Sequence, residues 1–210
     1  PGKLLGYSRF TNAGTSEQPL ELFVENAGTA ARFLPPLLCL GHASFRVSGI
    51  PRMHERPQAA LIRALRELGY RVDTPNDRLP AVVHGTGPRR GATCSVSVEE
   101  SSQFASALLL CAEIGGWTVS VTGANEDELP YVDMTRRMVS DFPSNGGVYD
   151  IEPDASGASY FWGADWLLRS GGSRVTVKPV PKSGMQADQK FLDLVVHGQW
   201  RPIYSRRSDL

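Results

Sequence analysis

The chain has 210 residues, 41% of them hydrophobic and 21% charged, a balance that suits folded domains with a real core and excludes a disordered chain. Its 22 basic and 22 acidic residues cancel to a formal net charge of zero. There is thus no bulk attraction to nucleic acid or to an anionic membrane surface, and any anion specificity must be local.

No apolar run approaches the roughly 20 residues that span a bilayer, and nothing after Pro1-Gly2-Lys3 reads as a secretion leader, so a cytoplasmic location without membrane contact is expected. The start at Pro1, without an initiator Met, reads as that of a fragment. Cys39, Cys94 and Cys111 lie in separate apolar segments without CxxC spacing. They read as buried thiols, not as a zinc site or a disulfide framework.

In chain order, the first strong element is a helix in "GTAARFLPPLLCLG". Pro35-Pro36 is awkward inside it, because an interior proline removes a hydrogen bond, so this helix is expected to kink or to begin late. A strand in "HASFRVSG" follows. Next, "GIPRMHERP" carries Arg52 and Arg56 in a segment expected to lie outside the deep core, where guanidinium groups suit either carboxylate and phosphate recognition or plain solvation. "RPQAALIRALRELG" places Leu61, Leu65 and Leu68 on one helical face, with Pro57 near its start and Gly69 after its end. "RVDT", "AVVHG" and "ATCSVSV" read as short strands. "GTGPRRG" joins two of them as a hairpin loop and not as a dinucleotide fingerprint.

"SSQFASALLLCAEIGG" then opens a second apolar helix. Ser101 and Ser102 either cap it or, with Gln103, form an anion site at its N-terminus. Trp117, Val119 and Val121 alternate with Thr118, Ser120 and Thr122 as a half-buried strand does, and "PYVDMTRRMVSDF" is helical with Pro130 near its start. An offset of 74 residues, Gly49 to Gly123, superposes the first helix and strand on the second pair. A third, looser copy runs through "ASGASYFWGADWLLRSGGSRVTVKPV" and the helix "MQADQKFLDLVV". The expected architecture is α/β with a βαβαββ unit used repeatedly, and a boundary near Gly147 where composition shifts. His42, His54, His84 and His197 show no metal-ligand spacing, so no metal is expected. No GxSxG elbow and no Cys/His pair points to a hydrolase.

"NAGTAARFL", "PRMHERP", "SSQFASALLL" and "PYVDMT", followed by "IEPDASGASYF", occur in this order, and the combination resembles the EPSP (5-enolpyruvylshikimate-3-phosphate) synthase family. The likeness runs from about Leu22 to Phe161 and continues more weakly through "MQADQKF" to Phe191. It implies two domains, each of three βαβαββ units around a pseudo-threefold axis, an inside-out α/β barrel with the active site between the domains. Residues 1–147 would form an incomplete first domain, and residues 148–210 the start of the second with a divergent tail.

The implied activity is transfer of the carboxyvinyl group of phosphoenolpyruvate to the 5-hydroxyl of shikimate 3-phosphate, through a tetrahedral intermediate and with release of phosphate. No metal or organic cofactor is implied. By motif position, Ser101, Ser102 and Gln103 would hold shikimate 3-phosphate, Gly28 and Arg56 would meet phosphoenolpyruvate or the inhibitor glyphosate, and Tyr131 would pack at the shikimate ring. Gly28 also implies glyphosate sensitivity.

The acid–base residues of the family fall outside this chain, as does an N-terminal Lys, Ser and Arg clamp, so the catalytic residues are not identified here and a complementing polypeptide is one source for them. Glu128 stands where the family has a serine near the substrate phosphate, and would repel that phosphate unless it turns away or is protonated. Residues 142–149 are short for the family, as though a hairpin were deleted. "VVHGQWRPIYSRRSDL" shows no likeness, and Arg201, Arg206 and Arg207 read as solvated. Two alternatives stand beside the leading reading: an inactive or split fragment with part of an anion site, and a UDP-N-acetylglucosamine enolpyruvyl transferase, whose reactive-cysteine loop has no match.

Overall fold

The computed structural model describes residues 14–143 and 146–196, and the chain divides between Gly147 and Val148 into two compact units. The expectations for Pro1-Gly2-Lys3 and for the tail with Arg201, Arg206 and Arg207 lie outside the described residues. No helix among those described is long and apolar enough to cross a membrane.

The first unit opens with β1 (Leu20–Phe23), α1 (Gly28–Cys39), β2 (Ser44–Ser48), α2 (Pro51–Glu55), α3 (Ala59–Glu67), β3 (Arg71–Asp73) and β4 (Ala81–His84). The strands form one sheet in the order β1-β2-β4-β3. β1 runs parallel to β2, which the α1 crossover requires, while β4 is antiparallel to both neighbours. This is one complete βαβαββ unit, its second helical segment split into α2 and α3.

A second copy follows as β5 (Thr93–Ser97), α4 (Ser102–Gly115), β6 (Thr118–Thr122) and α5 (Leu129–Asp141). The 74-residue offset holds at the level of single hydrogen bonds. Leu20 pairs with Phe45 and Cys94 with Val119 in the two parallel ladders, and Val24 N donates to Ser48 O as Val98 N donates to Thr122 O. Helices α1 and α4 begin at equivalent residues, Gly28 and Ser102. The second copy stops at βαβα, as the short stretch at residues 142–149 leads one to expect: among the described residues no strand pair follows α5, and β5 and β6 form a two-stranded sheet.

One hydrophobic core joins both copies. Leu61, Leu65 and Leu68 of the α3 stripe are almost wholly buried, as their helical spacing predicts. α4 packs against α1, α3, α5 and both strands of its own copy, and leaves Leu110 and Ile114 exposed on its remaining face. It ends where Gly116 adopts φ +69°, a left-handed conformation that glycine takes without strain. Beyond it Trp117 meets Tyr70 edge to face at 5.7 Å.

One expectation narrows here. α1 does not begin late: it starts at Gly28 and carries Pro35 and Pro36 inside it, both buried. The lost backbone bonds are tolerated because the rings fill core space. Residues 51–56 lie outside the deep core as expected: of the six only Met53 is fully buried, where it anchors α2, while Arg52 is exposed in an ion pair with Glu55 and Arg56 is partly buried.

The second unit holds α6 (Ala155–Leu168), a 3-10 turn after it, and α7 (Lys190–Val196). Ala155, Ala158 and Trp162 form its core with Val177, Val180, Phe191 and Leu192. Asp154 caps α6 by accepting from Ser156 N and Gly157 N. Asp165 accepts from Arg169, Arg174 and Val175 N. Glu152 gathers Lys182 N, Ser183 N, the Ser183 hydroxyl and the Gln186 amide. The strand expected in "SRVTVKPV" is absent. In the first two copies the strand after the helix pairs with a strand before it, and within the second unit no strand precedes α6 among the described residues.

Candidate functional site

The site is built on the N-terminal ends of α1 and α4, which the repeat makes equivalent and which pack side by side. After β5 the chain stays extended at Ser101 (φ −173°, ψ 132°), and its hydroxyl accepts from Gln103 N at 3.3 Å. Ser101 is therefore a genuine cap. Capping does not exhaust its role, because the Arg32 guanidinium of α1 donates to Gln103 Oε1 at 2.8 Å and approaches Ser101 Oγ at 3.5 Å. Arg32 also lies over the Phe104 ring, 5.3 Å from its centroid, a cation–π contact that holds the side chain in place.

At the start of α1, Ala27 makes no side-chain cap, so the first-turn amides around Gly28 have no side-chain cap within the helix. Gly28 lies against Arg56, the residue that follows α2, and a Cβ added at Gly28 would fall 2.6 Å from Arg56 Nη1. This approach depends on Gly49, where a Cβ would collide with the Glu25 carbonyl. The missing side chain lets the turn between β1 and α1 press onto α2, and Ile50 N donates to Glu25 O at 3.1 Å.

The two ends share one electrostatic environment. Burial lowers the Arg32 pKa first, repulsion from Arg56 lowers it further, and attraction from Glu128 and Glu100 opposes both. Glu128 neither points away nor stands apart: its Oε2 accepts from Ser102 N at 2.6 Å. That bond ties the start of α5 to the start of α4. A few residues on, the Thr135 hydroxyl donates to the Tyr131 carbonyl at 2.9 Å and sits 2.8 Å from Ser106 Oγ. Tyr131 is half-buried in the first turn of α5, three residues from Glu128.

Of the residues singled out in the sequence, the structure thus brings Ser101, Ser102, Gln103 and Glu128 together at one helix end and sets Gly28 against Arg56 at the neighbouring one. Arg32 is the site member to which the sequence alone assigns no ligand. Its only local signal is a guanidinium in an apolar helix one turn after Gly28-Thr29. Guanidinium groups and helix N-termini bind anions without exchanging protons, so the arrangement suits carboxylate and phosphate recognition.

The three cysteines are free and buried. Burial pushes Cys94 and Cys111 up to about 11 and Cys39 higher still, so none is poised as a thiolate nucleophile. Among the described residues no group of three His, Cys, Asp or Glu side chains gathers in a metal-binding arrangement.

Comparison with known proteins bears on this geometry. The family described as EPSP synthase (3-phosphoshikimate 1-carboxyvinyltransferase) matches residues 6–145. A 3-phosphoshikimate 1-carboxyvinyltransferase of Yersinia pestis bv. Antiqua (strain Angola) is 35% identical over 201 residues, covering 86% of this chain and 46% of the relative. A protein of that name from Vibrio atlanticus (strain LGP32) is 35% identical over 204 residues, covering 86% and 47%. Among solved structures, an EPSP synthase from Acinetobacter baumannii aligns with 20% identity and a TM-score of 0.49, over 71% of this chain and 37% of that one. The chain spans about half the length of the curated relatives it matches.

Proposed function

Because the chain belongs to the EPSP synthase family, we propose that its first unit supplies one wall of a site that transfers the carboxyvinyl group of phosphoenolpyruvate to the 5-hydroxyl of shikimate 3-phosphate, giving 5-enolpyruvylshikimate 3-phosphate and phosphate. The observation that carries this reading is the convergence at α4's start: Arg32 holds Gln103 and reaches Ser101 across more than 65 residues of chain.

In this reading Ser101, Ser102 and Gln103 take shikimate 3-phosphate, and Tyr131 packs beside its ring. The amide at Gly28 and the Arg56 guanidinium take the anionic groups of phosphoenolpyruvate. Both substrates carry multiple negative charges, and fixed donors offset their mutual repulsion as the 5-hydroxyl adds to the enol carbon. Arg32 positions the carboxamide of Gln103 between the two. The proton transfers that form and collapse the tetrahedral intermediate are assigned to groups outside residues 1–210. No metal or organic cofactor is required, and the site is placed in the cytoplasm.

The same proposal extends to architecture: residues 1–147 are two of three units in a pseudo-threefold domain, and residues 148–210 begin a second. Faces left bare by the repeat support it. Leu110 and Ile114 of α4 are 51% and 57% exposed, whereas their repeat equivalents, Pro36 of α1 and Leu40 just after it, are buried and partly buried. Contacts of this head-to-tail kind continue until a ring closes.

A phosphate-release assay with both substrates, run with and without a separately expressed second half, tests the function. Turnover only in the mixture is expected. Calorimetry with shikimate 3-phosphate tests the site: binding unchanged by Ser101→Ala/Ser102→Ala would remove these serines from it. A second reading, a half-site without turnover, is favoured by Glu128 on the Ser102 amide, and predicts no activity even after complementation. The UDP-N-acetylglucosamine alternative is disfavoured by the buried, protonated thiols.

A further inference from the structure

The α4 N-terminus already holds an anion of the chain's own. Glu128 Oε2 accepts the Ser102 N–H at 2.6 Å, and the Ser101 hydroxyl accepts the Gln103 N–H, so two first-turn donors of α4 are engaged from within. Glu128 is also the N-cap residue of α5, yet its side chain makes no capping bond to that helix. It is turned instead onto the neighbouring helix. Its charge reaches Arg32, which it attracts against the effect of burial. Arg32 Nε, in turn, is buried without a hydrogen-bond partner beside the cluster.

We propose that Glu128 is a specificity-determining residue, an internal carboxylate that stands in for a ligand's anion at the start of α4, so that a phosphate group enters only by displacing it. A carboxylate and a phosphate cannot both accept the single Ser102 N–H, and like charges at one helix end repel. The identity of the natural ligand rests on the reading above, whereas the displacement does not and can be measured with a simpler anion.

Amide resonances of the full chain are followed by heteronuclear NMR during titration with inorganic phosphate, and separately with shikimate 3-phosphate, for the unmodified protein, Glu128→Ser and Glu128→Gln. Serine is a good residue at the α5 N-cap and Gln is close to isosteric, so both variants retain the fold, as thermal melts verify. The Ser102 amide should shift with phosphate in both variants at concentrations that leave the unmodified protein unchanged. The dissociation constant should fall about tenfold or more once the competing charge is gone.

Equal phosphate affinities in all three proteins would overturn the proposal, as would a Ser102 amide that responds in none of them. The second ligand separates the two readings. Displacement of Glu128 by inorganic phosphate, with shikimate 3-phosphate binding no more tightly than phosphate, upholds the role of Glu128 and sinks the shikimate assignment. Tight shikimate 3-phosphate binding that is identical with and without Glu128 does the reverse.

Discussion

Arg32 reaches from α1 to two residues of α4, and what it does there depends on the shape of its head group. A planar fork can hold the Gln103 carboxamide at 2.8 Å and lie near the Ser101 hydroxyl at once; an ammonium of the same charge cannot. Arg32→Lys should therefore weaken shikimate 3-phosphate binding by about tenfold while leaving the fold intact, a comparison that calorimetry and circular dichroism make together. Gly28→Ala tests the other helix end. The added Cβ meets only the tip of the flexible Arg56 side chain, so stability should change by no more than roughly 0.5 kcal/mol. The displaced guanidinium and crowded amide should raise the KM for phosphoenolpyruvate and weaken glyphosate inhibition, measured in the complemented enzyme. A variant with unchanged KM and inhibition would separate Gly28 from that ligand. These positions differ in how far the sequence shows them. Ser101, Ser102, Gln103, Gly28 and Arg56 stand out because residue types suited to anions fall in a recognisable order. Arg32 does not, because its partners are 69 and 71 residues away and no local pattern encodes that distance. Glu128 stands out as a departure, but which way it turns is decided by packing.

At the scale of elements, periodicity locates most helices and strands of the first unit, including the half-buried alternation of β6. It fails where an element needs a partner. "SRVTVKPV" has the alternation of a strand, yet without a neighbouring strand to take its backbone groups it stays irregular, and Val177 packs on the α6 core instead. The prolines of α1 mislead in the opposite direction, since propensity argues against a helix that core packing supports. What orders the loops of the second unit is a carboxylate that sequence inspection passes over. Hydrogen bonds, chiefly from Ser183, lower Glu152 from 4.5 to about 2. A group whose pKa falls on folding contributes stability above its unfolded value and loses it as pH drops through the folded one. The Glu152 contribution should thus be complete above about pH 4.5 and disappear as pH approaches about 2. The Lys182 and Ser183 amide resonances should titrate with a midpoint near the lower value, and Glu152→Gln should abolish that titration. A midpoint at an ordinary glutamate pKa would show that these bonds do not persist in solution.

Across the whole molecule, the repeat is the feature most fully written in the sequence, for an offset found from letters alone reappears in ladder registers and in equivalent helix starts. Its incompleteness is legible only through the likeness to the family, as the short stretch at residues 142–149, because a missing strand pair leaves no residues of its own to read. The bare face of α4 offers a test of the proposed third unit. Leu110→Glu/Ile114→Glu should leave the isolated chain folded, since both side chains are already exposed, while abolishing complementation by a second half. Complementation that survives both charges would place the partner elsewhere. The unequal sheets also bear on the order in which the chain assembles. Four strands with their own helices can form a cooperative nucleus, whereas the isolated pair β5 and β6 cannot. The first copy should then act as a template on which the second condenses, through α1 against α4 and α3 against β5. Native-state hydrogen exchange should accordingly show the amides of β5 and β6 opening at a lower free energy than those of β2 and β4. A protein assembled in this order would emerge from synthesis with the start of α4, where Ser101, Ser102 and Gln103 lie, among the last parts to set.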